Sequence, residues 1–206
     1  CQTSLDATFA GHPPAGIFTA LATTIEQFQL EKQPFDDLLD AFRQDQQKTR
    51  YQTSEELLDY CQRSANPVGR IVLKLADTYP DDSDFKRSDQ ICTGLQLVNF
   101  WQDVARDYAI GRIYIPESEL RTGGVSEAML AEMIPQRSTL PALKAILEAE
   151  CDRAESYFDR GEPLCDHVPK WLGRNLRLFV GGGRATLAAI RAIDFDVIRT
   201  RPRVSK

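Results

Sequence analysis

The sequence predicts an all-α protein made of one domain spanning residues 1–206. Three observations lead there. Apolar residues recur at three- and four-residue spacing along most of the chain, the period of a helix with one buried face. No alternating apolar–polar run of useful length is present, apart from the short stretch Arg112 to Ile115. A length of 206 residues, with 42% apolar and 27% charged side chains, suits one soluble domain with a sizeable core.

The elements follow in order. Pro13 and Pro14 precede an apolar-periodic helix over Ile17 to Phe28, and Pro34 opens a second running to about Gln47, with Phe35, Leu38, Leu39 and Phe42 on one face. Thr53-Ser54-Glu55-Glu56 reads as an N-cap with acidic residues in the first turn, heading a helix through Tyr60. Pro67 biases Asn66 away from helical geometry, so a break or kink is expected there before a helix resumes over Val68 to Ala76. Tyr79 to Asp84 is turn-rich, and Asp81, Asp82 and Asp84 read as solvated loop charges. A long helix then covers about Asp84 to Tyr108. A Gly123-Gly124 turn, a helix from about Ser138 to Gly161 and a final helix through the 180s and 190s complete the chain. The GGGR at 181–184 reads as an interruption of that last helix.

No apolar run approaches a membrane span, and no basic-then-apolar leader opens the chain. Five scattered cysteines without a CxxC pair suggest free thiols in a reducing cytoplasm. The net charge of −5 conceals an asymmetry: His167 to Lys206 holds nine Lys and Arg against two Asp. That segment reads as a contact for anionic lipid, which would place the protein peripherally at the inner membrane face, or for a diphosphate. A solvated helix face with a frayed tail accounts for it equally well. Its basic residues are not interleaved with exposed aromatics, so nucleic acid is not an expected partner. His12 and His167 are too isolated for a proton relay, and no Gly-rich phosphate loop or dinucleotide fingerprint is present. The sequence carries no signal for oligomeric state.

The most telling stretch is Gly94 to Asp107, GLQLVNFWQDVARD, followed by GRIYIP. Its apolar residues would suit a buried helix, yet Gln96, Asn99, Asp103 and Asp107 fall at i, i+3, i+7 and i+11, on one helical stripe. Unpaired carboxylates do not face a packed core, because burying one without a partner costs several kcal/mol. Two carboxylates at i and i+4 with amide oxygens upstream suit a hard cation such as Mg²⁺. A guanidinium at Arg112 suits a phosphate oxygen. The expectation is a metal-bridged diphosphate at one end of an apolar pocket.

GLQLVNFWQDVARDYAIGRIYIPESEL resembles the second aspartate-rich segment of the squalene and phytoene synthase family, and TRYQTSEELLDYCQRSANPVGR resembles another of its blocks. SANPVG and NFWQD are similar to the hydroxysqualene synthase branch; Gln102 stands where condensing members usually carry Arg. The resemblance implies an isoprenoid synthase-type helical bundle around a central apolar cavity. It implies Mg²⁺-dependent conversion of presqualene diphosphate to hydroxysqualene with release of diphosphate. The alternatives are a head-to-head prenyl transferase using farnesyl or geranylgeranyl diphosphate and a non-catalytic prenyl-lipid-binding or assembly subunit. Matched residue by residue, Asp103 and Asp107 become metal ligands. Gln96, Asn99, Arg112 and Tyr114 line the diphosphate pocket, and Arg50 joins them unless it only makes an exposed salt bridge. Tyr60 lies over the reacting carbocation, or is a core tyrosine with a bonded hydroxyl. Ser64 and Asn66 depart from the family's usual Val and Gly; they are expected to hold a water for attack on the cation, unless Asn66-Pro67 only shapes the kink. Asp36, Asp37 and Asp40 spell DDLLD, yet belong to the helix before RYxT and read as an exposed flank. The family's first aspartate-rich motif belongs upstream of His12-Pro13-Pro14. The resemblance therefore makes this the C-terminal portion of an enzyme, expected to be nearly inactive alone.

Overall fold

The structure is a computed structural model describing residues 1–76 and 78–204. Twelve helices and no strands occur among the described residues: α1 (Gln2–Phe9), α2 (Ile17–Phe28), α3 (Gln33–Gln44), α4 (Ser54–Ser64), α5 (Asn66–Leu75), α6 (Asp82–Gln102), α7 (Val104–Ala109), α8 (Glu117–Thr122), α9 (Glu127–Gln136), α10 (Pro141–Gly161), α11 (Leu164–His167) and α12 (Lys170–Ala192). None of them is long and apolar enough to cross a membrane.

Helix α6 is the axis of the molecule. It packs most extensively on α10, then on α5, α12 and α4. Its residues Leu97, Val98, Phe100 and Trp101 are buried in one apolar cluster with Leu143, Leu147 and Phe158 of α10 and Leu187 and Ile190 of α12. Two glycines explain how three helices approach so closely. A methyl group on Gly183 would lie 2.3 Å from Phe158 Cζ, and one on Gly94 would lie 2.9 Å from Cε1 of the same ring. The Phe158 ring therefore fills a slot between α6 and α12 that only glycine leaves open on either side. This corrects the reading of 181–184 as an interruption: α12 runs through the GGGR without a break.

Thr53 caps α4 as expected, its hydroxyl accepting from the Glu56 amide at 3.3 Å. A break is present but one residue earlier than expected, at Ala65: Asn66 is itself helical and starts α5, with Pro67 in the first turn, where a missing N–H costs nothing. Asp81 is more than a loop charge. It caps α6 by accepting from the Ser83 and Asp84 amides at 2.7 and 2.9 Å, while the Asp84 side chain reaches back to the Asp81 amide. On α3, Ala41 is the buried residue and Leu38 and Leu39 are only half covered. Asp36 and Asp40 are engaged by Lys32 and Arg43, and Asp37 accepts from Gln33 at 2.7 Å. Helices α1 and α9 carry no strong sequence signal: α1 begins at the second residue, and Pro135 lies inside α9.

Candidate active site

The site grows from the end of α6. The helix stops at Gln102 because Asp103 leaves helical geometry (φ −108°, ψ 16°), and α7 restarts at Val104. The expected single helix is thus two, although Asp103 still donates to the Asn99 carbonyl and Asp107 to the Asp103 carbonyl. The chain then turns at Gly111 (φ +81°), a left-handed position that suits glycine, and Arg112 donates its amide back to the Asp107 carbonyl at 2.8 Å. The segment from Arg112 to Ser118 lies beside residues 49–52, anchored by the Ile113 amide on the Thr49 carbonyl at 3.0 Å and the Glu117 amide on the Tyr51 carbonyl at 2.9 Å. Buried Ile113 and Ile115 hold that segment to the core. Arg112 is therefore delivered beside Asp107 by backbone geometry.

The two carboxylates differ in state. Asp103 pairs with Arg201 at 2.6 Å and Arg106 at 3.4 Å, and the Arg201 guanidinium holds its carboxyl below the usual range. Asp107 makes no side-chain hydrogen bond among the described residues. Burial, with the Asp103 charge added, pushes its carboxyl up to about 6. A half-buried carboxylate with both oxygens uncommitted is the donor a hard cation seeks, and Mg²⁺ is commonly held by one or two carboxylates plus substrate phosphates. The donor set fits that ion, although no group of three or more His, Cys, Asp or Glu converges among the described residues. Asn99 is exposed and Gln96 half-buried on the same helix flank.

Beside Asp107 lies an aromatic stack that sequence reasoning saw only in part. Phe100 and Tyr114 stack with centroids 3.9 Å apart, and Tyr60 lies 6.2 Å from Tyr114 and 6.3 Å from Phe100. Tyr51 completes the cluster at 5.8 Å from Tyr114. Phe100, Tyr114, Leu130 and Ile134 wall a recess of about 10 Å³ with Asp107 and Arg112 on its lining. Asp45, which no motif singled out, organises one side. Its carboxylate accepts from the Tyr60 hydroxyl at 2.8 Å, and its carbonyl accepts from Arg112 at 3.0 Å. Burial, followed by that contact with Asp45, keeps the Tyr60 phenol protonated far above its ordinary range. Arg112 also donates to the Tyr114 hydroxyl at 3.3 Å.

The remaining candidates are placed elsewhere. Arg50 grips Glu127 at 2.6 Å and the Gly111 carbonyl at 2.6 Å, tying α9 to the turn behind Arg112. Ser64 stays on the Tyr60 side of α4 but donates to the Tyr60 carbonyl at 2.8 Å. Asn66 is not brought to the aromatic stack. It is buried, accepts from Thr93 at 3.0 Å, and lines a separate polar recess of about 440 Å³ with Gln62, Arg70 and Asp89.

Known proteins resemble this chain over most of its length. A squalene synthase from Alicyclobacillus acidocaldarius superposes with a TM-score of 0.88 at 40% identity, over 94% of this chain and 72% of that one. A chloroplastic phytoene synthase from Daucus carota is 30% identical over all of this chain, which spans 52% of the relative's length. A hydroxysqualene synthase from Sinorhizobium fredii is 38% identical over 137 residues, 64% of this chain and 44% of that protein. The family model described as squalene/phytoene synthase matches residues 1–206, and the chain belongs to that family.

Proposed function

We propose that this chain carries the diphosphate-releasing side of a prenyl diphosphate active site, and that its reaction is conversion of presqualene diphosphate to hydroxysqualene. The observation that carries the reading is the uncommitted, half-buried Asp107 carboxylate next to Arg112 and the Phe100–Tyr114 stack. Anion-handling and cation-stabilising groups so close together suit a reaction that separates charge. The SANPVG and NFWQD segments and the match to the hydroxysqualene synthase favour this product.

Asp103 and Asp107 would hold Mg²⁺, which when bound supplies Lewis-acid neutralisation of the departing diphosphate. Arg112, already aimed by the Asp45 carbonyl and the Tyr114 hydroxyl, donates to a diphosphate oxygen. The C–O bond breaks with its electron pair on the leaving group, and the carbocation left behind faces the rings of Tyr60, Phe100 and Tyr114. Each π face in range stabilises a cation by about 0.5–2 kcal/mol. The Asp45 contact on the Tyr60 hydroxyl fixes that ring, and the apolar walls keep stray water from the cation. Ser64, on the same side of α4, is the group that places the attacking water, which forms the new C–O bond to the rearranged cation and loses its proton to the released diphosphate; Asn66 fixes α5 to α6 through Thr93. Five unpaired cysteines suit a reducing cytoplasm.

A second reading, head-to-head joining of two prenyl diphosphates, is favoured by the match to the phytoene synthase over the full length of this chain and 52% of that protein. Incubation of the full-length protein, including the first aspartate-rich motif upstream of this chain, with Mg²⁺ and either presqualene or farnesyl diphosphate, and identification of the products by mass spectrometry, separates the two. Hydroxysqualene from the first substrate, and a lower alcohol fraction with Ser64→Val, is the expected result. A condensation product from farnesyl diphosphate alone would install the second reading.

A further inference from the structure

The segment after α12 is fastened down. Asp194 and Phe195 take left-handed backbone (φ 53° and 56°), Val197 and Ile198 are buried, and the chain returns to the junction of α6 and α7. There Arg201 Nε donates to Asp103 Oδ1 at 2.6 Å and Nη2 to Oδ2 at 3.0 Å. Arg201 Nη2 also reaches Gln102 Oε1 at 3.1 Å, and Gln102 Nε2 donates to the Pro202 carbonyl at 2.8 Å. Two residues before Arg201, the Arg199 carbonyl accepts from Arg137 at 3.0 Å. Gln102 and Asp103 thus make four hydrogen bonds with Arg201 and Pro202. The guanidinium fork occupies both oxygens of one carboxylate of the site, while Asp107, one turn on, has none occupied.

We propose that residues 199–204 form a latch in which Arg201 is a built-in counter-ion, keeping Asp103 closed to a metal ion until a diphosphate arrives. The diphosphate offers the guanidinium a more highly charged anion. Arg201 transfers to it, Asp103 is released, and metal and diphosphate load together. Gln102 is the positioning residue, since it holds both Arg201 and the backbone beyond it. The proposal rests on the assignment of Asp103 and Asp107 to a metal–diphosphate site. It makes metal and diphosphate binding cooperative, with the coupling acting equally in both directions.

The test is equilibrium binding of Mn²⁺ alone, followed by electron paramagnetic resonance, and of preformed magnesium diphosphate, followed by calorimetry. The proteins are wild type, Arg201→Gln, Arg201→Lys, Asp103→Asn, Asp107→Asn and Arg199→Gln, the last an exposed, charge-matched control that leaves Asp103 untouched. Arg201→Gln is expected to tighten Mn²⁺ binding about tenfold and weaken magnesium diphosphate about tenfold, the scale of hydrogen bonds to charged groups. Opposite signs mark the exchange, because a merely structural role moves both affinities the same way. Arg201→Lys keeps the charge without the fork, so it is expected to give the same signs at smaller size; it also serves if the Gln variant does not fold. In the metal-free protein, Asp103→Asn is expected to speed amide hydrogen exchange at 199–204. Unchanged exchange there, or shifts with Arg201→Gln that match Arg199→Gln or share one sign, overturns the latch. Indifference of magnesium diphosphate binding to Asp107→Asn overturns the site assignment instead.

Discussion

At the scale of single residues, the chain holds ionisable groups in states their sequence positions do not announce. Asp103 and Asp107 read as equivalent, yet one is neutralised by an arginine 98 residues away and the other is half-buried with no side-chain hydrogen bond among the described residues. Glu150 is the clearest further case. It is 2% exposed on α10, with Arg153 at 3.4 Å, and Glu119 is held near the same arginine at 3.8 Å. Burial pushes its carboxyl up to about 7 from an ordinary 4.5, with the Glu119 charge adding and Arg153 opposing. A carboxyl raised on folding favours the protonated native state, so its contribution is complete below pH 4.5 and disappears as pH rises through 7. The expected loss is on the order of 2–3 kcal/mol. Urea unfolding of wild type should therefore show lower stability at pH 8 than at pH 5. Glu150→Gln should remove most of that difference, and an undiminished pH slope in the variant would remove Glu150 as its source.

At the scale of elements, the helices were legible where period and cap agreed, and illegible where tertiary contact decided. Thr53 announced α4 and Pro67 announced the break before α5, because both act through local backbone chemistry. The stop of α6 at Asp103 has no local signal, since GLQLVNFWQDVARD carries neither glycine nor proline after Gly94. The glycines of α12 misled for the complementary reason. Glycine signals a weak helix when read alone, by about 1 kcal/mol against alanine, but Gly183 is there to admit Phe158. Neighbouring Gly182 meets nothing within 4 Å and has no such role. Gly182→Ala should thus stabilise the protein by up to about 1 kcal/mol. Gly183→Ala should destabilise it by about 1–3 kcal/mol through overpacking. Thermal melts of the two variants check both signs, and a shared sign would mean that helix propensity rather than the Phe158 slot governs this position.

At the scale of the whole molecule, the all-α class, the stripe on α6 and the family were readable because each is a repeating or contiguous pattern. The aromatic stack around Phe100 and Tyr114, the Asp45 anchor and the Arg201 contact were not, because they join residues 14 to 98 positions apart that share no period. The same long-range packing draws α4, α6, α10 and α12 into one apolar cluster. We propose on that basis that the helices sharing this cluster unfold as one unit, and the thiols provide the measurement. Cys1 is exposed, whereas Cys61 on α4 and Cys151 on α10 are fully buried, with burial pushing each thiol up to about 12. A thiol-specific reagent near neutral pH needs both access and thiolate, and the two buried groups offer neither until the core opens. Cys1 should react at once. Cys61 and Cys151 should follow at one common slow rate that rises with urea as global unfolding does, because opening of the shared cluster limits both. Rates for Cys61 and Cys151 differing tenfold or more in mild urea would show that α4 opens separately from the α6–α10 pair, and would divide the molecule into two cooperative units.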